Sequence, residues 1–166
     1  MNGTKYPLLF TYHDILAGNG FIAGIRIRGR SLMVEEEDGD VWIYGVNPGG
    51  ISNGGKSQKE AASAFRSVYQ AVLYDIAEEA LTFAELKDGV ESFCAETNAP
   101  NAQEWRKAVK LVRSGLLGSD WLDRRPADSD RGVEVVEITP CEDAEVPVKQ
   151  KPAPSYNASN EQLLAA

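Results

Sequence analysis

Leu32-Met33-Val34-Glu35-Glu36-Glu37-Asp38-Gly39-Asp40-Val41-Trp42-Ile43-Tyr44 is the stretch that decides the fold. An apolar run enters an acidic one, Asp38-Gly39 turns the chain, and a second apolar run leads it back. Asp-Gly between apolar runs is a strong hairpin signal, because a type I′ turn needs positive φ at both central residues. With Asp38 and Gly39 in those places, Val34 faces Ile43 and Met33 faces Tyr44. The chain continues through Asn47-Pro48-Gly49-Gly50-Ile51-Ser52-Asn53-Gly54-Gly55, and a long amphipathic helix opens at Ser57. The expected order is hairpin, short third strand, helix.

Upstream, Tyr6, Leu8, Phe10 and Tyr12 alternate on one face of a strand over 6–16, and Gly18-Asn19-Gly20 can turn the chain. A second strand runs from Phe21 to Arg28, with Ile25 and Ile27 inward and Arg26 and Arg28 outward. The apolar parity changes from odd to even at Leu32, so a break or bulge is expected at Gly29. Downstream, Ser57-x-x-Glu60 is a capping box that starts a helix to Ala80. Ala61, Ala64, Phe65, Val68, Val72, Leu73 and Ile76 form its apolar stripe. Thr82-x-x-Glu85 starts a second helix, with Leu86, Val90, Phe93 and Cys94 inward. Asn101-x-x-Glu104 starts a third, with Trp105, Ala108, Val109 and Val112, and Gly115 and Gly118 can end it. Val133 to Ile138 alternates enough for a short strand, at an edge or bound to a partner. From Thr139 the tail is rich in Pro, Ala, Asn, Ser and acidic residues, and disorder is expected there.

The chain has 166 residues, 43% of them hydrophobic, which suffices for one core with flanking elements. The net charge of −8 disfavours broad nucleic-acid binding, since Lys and Arg supply phosphate contacts. It suits a basic protein partner, or simply solubility. Cys94 and Cys141 lack a metal-site spacing, and no structural disulfide is expected, which suits a reducing cytosol. No signal peptide or membrane span is visible, so a cytoplasmic protein is expected.

His13 is the lone histidine, more readily explained as a structural residue than as a catalyst. Glu35, Glu36, Glu37, Asp38 and Asp40 form the sharpest charge cluster. Two-metal nuclease chemistry needs carboxylates that converge on ions about 4 Å apart. Neighbouring strand residues point to opposite faces, so this run cannot converge by itself. It reads as a solvated hairpin end that also suits a basic partner, with Trp42 and Tyr44 beside it as anchors. Trp42 is equally explained as core. Gly50-Ile51-Ser52-Asn53-Gly54-Gly55-Lys56-Ser57 matches the bare phosphate-loop pattern. However, nucleotide hydrolysis also needs a distal Asp on another strand and further βα units, and no later apolar strand ends in Asp.

The turn Glu37-Asp38-Gly39-Asp40, the strand Pro48-Gly49-Gly50-Ile51-Ser52-Asn53-Gly54-Gly55 and the helix start Ser57-Gln58-Lys59-Glu60-Ala61 together resemble the HicB-like antitoxin domain. The resemblance covers 31–80, about a third of the chain. It implies a ribonuclease H-like fold without catalytic acids. In that family an acidic antitoxin covers the catalytic histidine surface of a small basic ribonuclease toxin that resembles a double-stranded-RNA-binding domain. Many members add a C-terminal DNA-binding module that represses their own operon. Arg106, Lys107, Lys110 and Arg113 lie at helical spacing on the third helix, and a helix-turn-helix would permit the short joint before it. The sequence there does not match the family's usual modules.

The expected fold is α+β: a small antiparallel sheet with an N-terminal hairpin extension, packed by a long helix, then two further helices and a disordered tail. The expected division is 1–80 for the α+β domain, 81–118 for a helical pair, 119–138 for a linker and short strand, and 139–166 for the tail. The expected function is non-enzymatic partner binding, with no cofactor, metal or catalytic residue. Glu35, Glu36, Glu37, Asp40, Trp42 and Tyr44 are the candidate contact residues. Self-association is compatible with this, and DNA is the weaker alternative partner. The rivals are a nucleotide-binding protein using Gly50 to Ser57 and an acidic phage-type inhibitor or adaptor.

Overall fold

The computed structural model of the chain describes residues 3–118 and 132–139. Most of the expected linker, the tail beyond Thr139 and Cys141 lie outside them. The fold is α+β: an antiparallel sheet with three helices. The elements are β1 (Thr4–Ala17), β2 (Ile22–Glu35), β3 (Val41–Asn47), β4 (Ser52–Gly55), α1 (Gln58–Glu79), α2 (Phe83–Ala95), α3 (Ala99–Arg113) and β5 (Gly132–Glu137).

The sheet runs β1-β2-β3-β4, and β5 also pairs with β2. β2 is one strand of 14 residues, paired with β1 without a break from Ala17↔Ile22 to Thr4↔Glu35. Its first half pairs with β5 (Arg28↔Gly132 to Ala23↔Glu137) and its second half with β3 (Glu35↔Val41 to Arg30↔Asn47). β5 and β3 therefore lie end to end along the same side of β2. The expected break at Gly29 is not in β2. The register shift lies opposite, where Ser31 pairs with Gly45 and Arg30 with Asn47, which leaves Val46 as the extra residue on β3.

The change of parity at Leu32 has another cause. Ala23, Ile25, Ile27 and Met33 bury into a core under α1 and α2. Leu32 and Val34 bury into a second core on the opposite face, with Val46, Ala102, Trp105 and Ala108. From Ser31 to Val34 every residue of β2 is buried, because both faces of the sheet are covered there.

The β2–β3 turn is longer than a type I′ turn. Glu36 N–H donates to the Asp40 carbonyl at 2.8 Å, and Gly39 N–H donates to the Glu36 carbonyl at 3.0 Å. Gly39 has φ 87°. This is a loop of Glu37, Asp38 and Gly39 with glycine in the left-handed position, closed by Asp40 N–H donating to Asp38 Oδ1 at 3.1 Å. The expected register is thereby off by one: Met33 faces Ile43 and Val34 faces Trp42. A slip of one residue changes a strand's partners and faces, so Trp42 lies on the α3 side.

α1 begins and ends as its sequence signals. The Ser57 side chain accepts from Glu60 N–H at 3.2 Å, Glu60 Oε2 accepts from Lys56 N–H at 2.9 Å, and Ala80 is the C-cap. Thr82 and Glu85 repeat the device for α2. α3 starts earlier than expected. Asn98 is its N-cap, accepting from Asn101 N–H at 3.0 Å, and Pro100 sits in the first turn, where a missing N–H costs nothing. Gly115, at φ 73°, closes it in a Schellman turn, with Leu116 N–H donating to the Leu111 carbonyl.

α2 and α3 do not form a helical pair. α2 joins α1 on one face of the sheet, and α3 packs on the other. The joint between them crosses the end of the sheet, where Gly49 N–H donates to the Glu96 carbonyl and Asn98 N–H to the Val46 carbonyl. A helix-turn-helix needs its two helices packed together, so this arrangement does not build one.

Candidate functional site

The hairpin end is held by side chains of β1 and of the residues that open α1. On the α1 side, Glu35 accepts from Gln58 at 2.8 Å and from the Tyr6 hydroxyl at 3.4 Å. Asp40 accepts from Lys56 Nζ at 2.6 and 2.9 Å. Glu36 and Glu37 enter no ion pair or side-chain hydrogen bond among the described residues, and Glu37 is exposed. Of the four acidic candidates, two are tied into the fold, and two, the half-buried Glu36 and the exposed Glu37, have no such partner among the described residues.

Trp42 is 39% exposed, which settles its place as half surface rather than core. Its ring stacks on Tyr44, with centroids 6.1 Å apart and planes 20° from parallel. It lies across β4, where a Cβ on Gly54 would come within 2.7 Å of its Cδ2. Only glycine lets the indole rest on that backbone. Burial raises the Tyr44 hydroxyl pKa above its ordinary value, and the Glu36 charge adds to this. Glu36 is therefore near the aromatic pair.

A groove of about 750 Å³ runs between the hairpin end and α3, lined in part by Glu35, Glu36, Glu37, Glu104 and Leu111. Glu104 receives Lys107 Nζ and Lys5 Nζ, each at 2.7 Å. Those two hydrogen bonds hold its carboxyl down to about 2. The lowered value implies a sign: the contribution is full above the ordinary carboxylate range and is lost as pH falls toward 2. Acid is therefore expected to loosen α3 from β1. Near-ultraviolet dichroism of the tryptophans should show this loss in the native chain, and Glu104→Gln should flatten it. An unchanged acid profile in Glu104→Gln would count against the linkage.

The basic candidates Arg106, Lys107, Lys110 and Arg113 are exposed on α3, with Lys107 drawn toward Glu104. The glycine-rich run does not curl round a common point. Ser52 to Gly55 is extended in β4, antiparallel to β3. Lys56 is turned to Asp40, and a Cβ on Gly50 would lie 3.2 Å from a Glu96 carboxylate oxygen. A phosphate cradle needs convergent N–H groups in a positive field, and a carboxylate beside Gly50 opposes one. His13 is exposed on β1. Among the described residues, no three His, Cys, Asp or Glu side chains gather to hold a metal ion, and no helix is long and apolar enough to cross a membrane.

Sequence reasoning missed Lys5 and Glu104. They are 99 positions apart, and no local pattern joins them. No family model, curated protein or solved structure matches the chain.

Proposed function

We propose that this chain is a non-enzymatic binding protein of the HicB-like antitoxin kind, which holds a small basic protein such as a ribonuclease toxin. One observation carries the reading. Glu36 and Glu37 have no ion-pair or side-chain hydrogen-bond partner among the described residues and stand at a hairpin end, next to a half-exposed Trp42 stacked on Tyr44. Unpaired carboxylates steer a basic partner, while an aromatic half out of the surface anchors it in a dry contact. Glu35 and Asp40, each already engaged, hold the hairpin end in shape instead of meeting the partner first.

The partner is to be sought by co-purification from the native host and among small basic proteins encoded nearby. Association should weaken with salt, since exposed charges are screened beyond roughly 8 Å at 0.15 M. The double change Glu36→Lys with Glu37→Lys should slow association roughly tenfold or more at low salt and leave dissociation nearly unchanged. Trp42→Ala should act the other way, speeding dissociation at a cost of about 2 kcal/mol. Stopped-flow mixing separates the two rates. Binding that is indifferent to salt and to both changes would end the proposal.

A further inference from the structure

β1 is the long edge of the sheet. It has 14 residues, whereas the other edge strands, β4 and β5, have four and six. Its pairing with β2 fixes which backbone groups point outward. Gly18 N–H donates to the Phe21 carbonyl at 3.1 Å, and Ile138 N–H reaches the Ile22 carbonyl from the other side of β2 at 2.7 Å. Antiparallel pairs alternate between bonded and unbonded, so Phe10, Tyr12, Asp14 and Leu16 give their N–H and C=O groups to β2. Leu9, Thr11, His13, Ile15 and Ala17 turn theirs to the edge. Among the described residues, one of those groups finds a partner: Ile15 N–H donates to Asp14 Oδ1 at 2.9 Å. Thr11, His13, Ile15 and Ala17 are exposed.

Sheet edges usually carry a guard against a further strand, such as Pro, Lys or a bulge. The first part of β1 has two. Pro7 falls on the outward row and brings no N–H to it, and Lys5 is drawn to Glu104 on α3. From Leu9 to Ala17 there is no Pro, Lys or Arg, and the register with β2 runs on without a bulge.

We propose that this edge pairs with the same edge of a second copy, antiparallel about a two-fold axis at His13. Pro7 closes the outward row on one side and the turn at Gly18 closes it on the other. His13 is the middle of what remains, Leu9 to Ala17. Leu9 then lies opposite Ala17 of the second copy, Thr11 opposite Ile15, and Tyr12 opposite Asp14. Every outward N–H meets an outward carbonyl, with Ile15 N–H exchanging Asp14 for Thr11 of the second copy. A centre one residue earlier would bring Pro7 into the ladder. A centre one residue later would set Asp14 against Asp14, like charges directly opposed. At His13 no Asp, Glu, Lys or Arg meets its like.

Charge agrees with a second copy as the occupant. The chain has a net charge of −8, but the span from Leu9 to Ala17 holds a single carboxylate. That carboxylate, Asp14, accepts from the Tyr12 hydroxyl at 2.6 Å and from Gln70 at 3.3 Å, and the Arg66 guanidinium lies over the Tyr12 ring. Two copies can thus meet here without bringing their acidic ends together. Each hairpin end, beside Thr4 and Glu35, lies roughly 30 Å along β1 from the axis. The pair therefore leaves both ends free, facing opposite ways. A ladder this short is a small interface, so dissociation in the micromolar range is expected.

The test is sedimentation of the full chain over a range of concentration, with hydrogen exchange alongside. A monomer–dimer equilibrium is expected, and the Thr11, His13 and Ala17 amides should exchange more slowly as the dimer forms. Thr11→Pro removes an outward N–H without touching the ladder to β2, and should weaken the dimer roughly tenfold or more. His13→Lys and His13→Glu, at an exposed position, should each weaken it by setting like charges at the axis. An equimolar mixture of the two should recover it as a mixed dimer. A chain that stays monomeric up to millimolar concentration would overturn the proposal. A dimer indifferent to Thr11→Pro and to both His13 changes would do the same, by placing the contact elsewhere. Edge amides protected equally at every concentration would assign the edge to a cover within the chain and overturn it too.

Discussion

Tyr69→Ala is expected to cost about 3–5 kcal/mol of stability, the largest loss from any single truncation on the α1 side. The Tyr69 side chain is 1% exposed at the centre of an aromatic cluster. Its ring centroid is 4.9 Å from that of Tyr12, 5.5 Å from those of Phe10 and Phe93, and 6.3 Å from that of Phe65. Those rings come from β1, α1 and α2, so the cavity would open where three elements meet. The hydroxyl is the lesser part. Its hydrogen-bond partner among the described residues is Cys94 Sγ, at 3.8 Å, and burial drives its pKa well above the ordinary tyrosine value. Tyr69→Phe should therefore cost no more than about 1 kcal/mol. Urea unfolding of both variants decides the matter. Equal losses would show that the hydroxyl, and not the ring, is what matters.

Trp105→Ala is expected to cost about as much, roughly 3–5 kcal/mol, but with a different pattern of damage. Trp105 fills the second core between β2 and α3. Its Nε1–H donates to the Leu8 carbonyl at 3.2 Å, and the Arg30 guanidinium stacks 4.7 Å above its ring. One side chain thus supplies apolar burial, a hydrogen bond to β1 and a cation–π contact. Its loss should free α3 before the rest of the molecule unfolds. Hydrogen exchange is the sensitive measure: protection of α3 amides should collapse while α1 amides keep theirs. If α1 and α3 lose protection together, the two cores are one cooperative unit.

What the sequence makes legible here is mostly what is local. Ser57 with Glu60 and Thr82 with Glu85 mark their helix starts to the residue, since a cap is a contact over three positions. Asp38-Gly39 marks a turn, but the dipeptide fits both a two-residue loop and a three-residue loop with glycine last. The register, and with it the face of Trp42, hangs on that choice. Asn98 and Asn101 compete as caps in the same way, and the glutamate three places after Asn101 points to the wrong one. Tyr69 lies four residues from both Phe65 and Leu73, yet a tyrosine's hydroxyl disguises a core position. The alternation of Val133 to Ile138 shows a strand without showing that its partner is β2 of the same chain. At the candidate site, the acidic end and Trp42 are visible in sequence. Which carboxylates are already spoken for depends on Gln58 and Lys56, whose approach only the folded chain reveals.

The run Ser31 to Val34, buried on both faces, ties two cores to one reading frame. Substitution within it changes one core at a time, whereas losing or gaining one residue would exchange the two. Met33 would turn toward α3, and Leu32 or Val34 toward α1. Relatives of this chain should therefore vary in the residue types along β2 but hardly ever in its length. Insertions and deletions should collect at Gly18 to Gly20 and at Glu37 to Gly39, where the turns absorb them. A search that weighs conserved spacing between those two turns, and not conserved identity, is the one suited to finding such relatives.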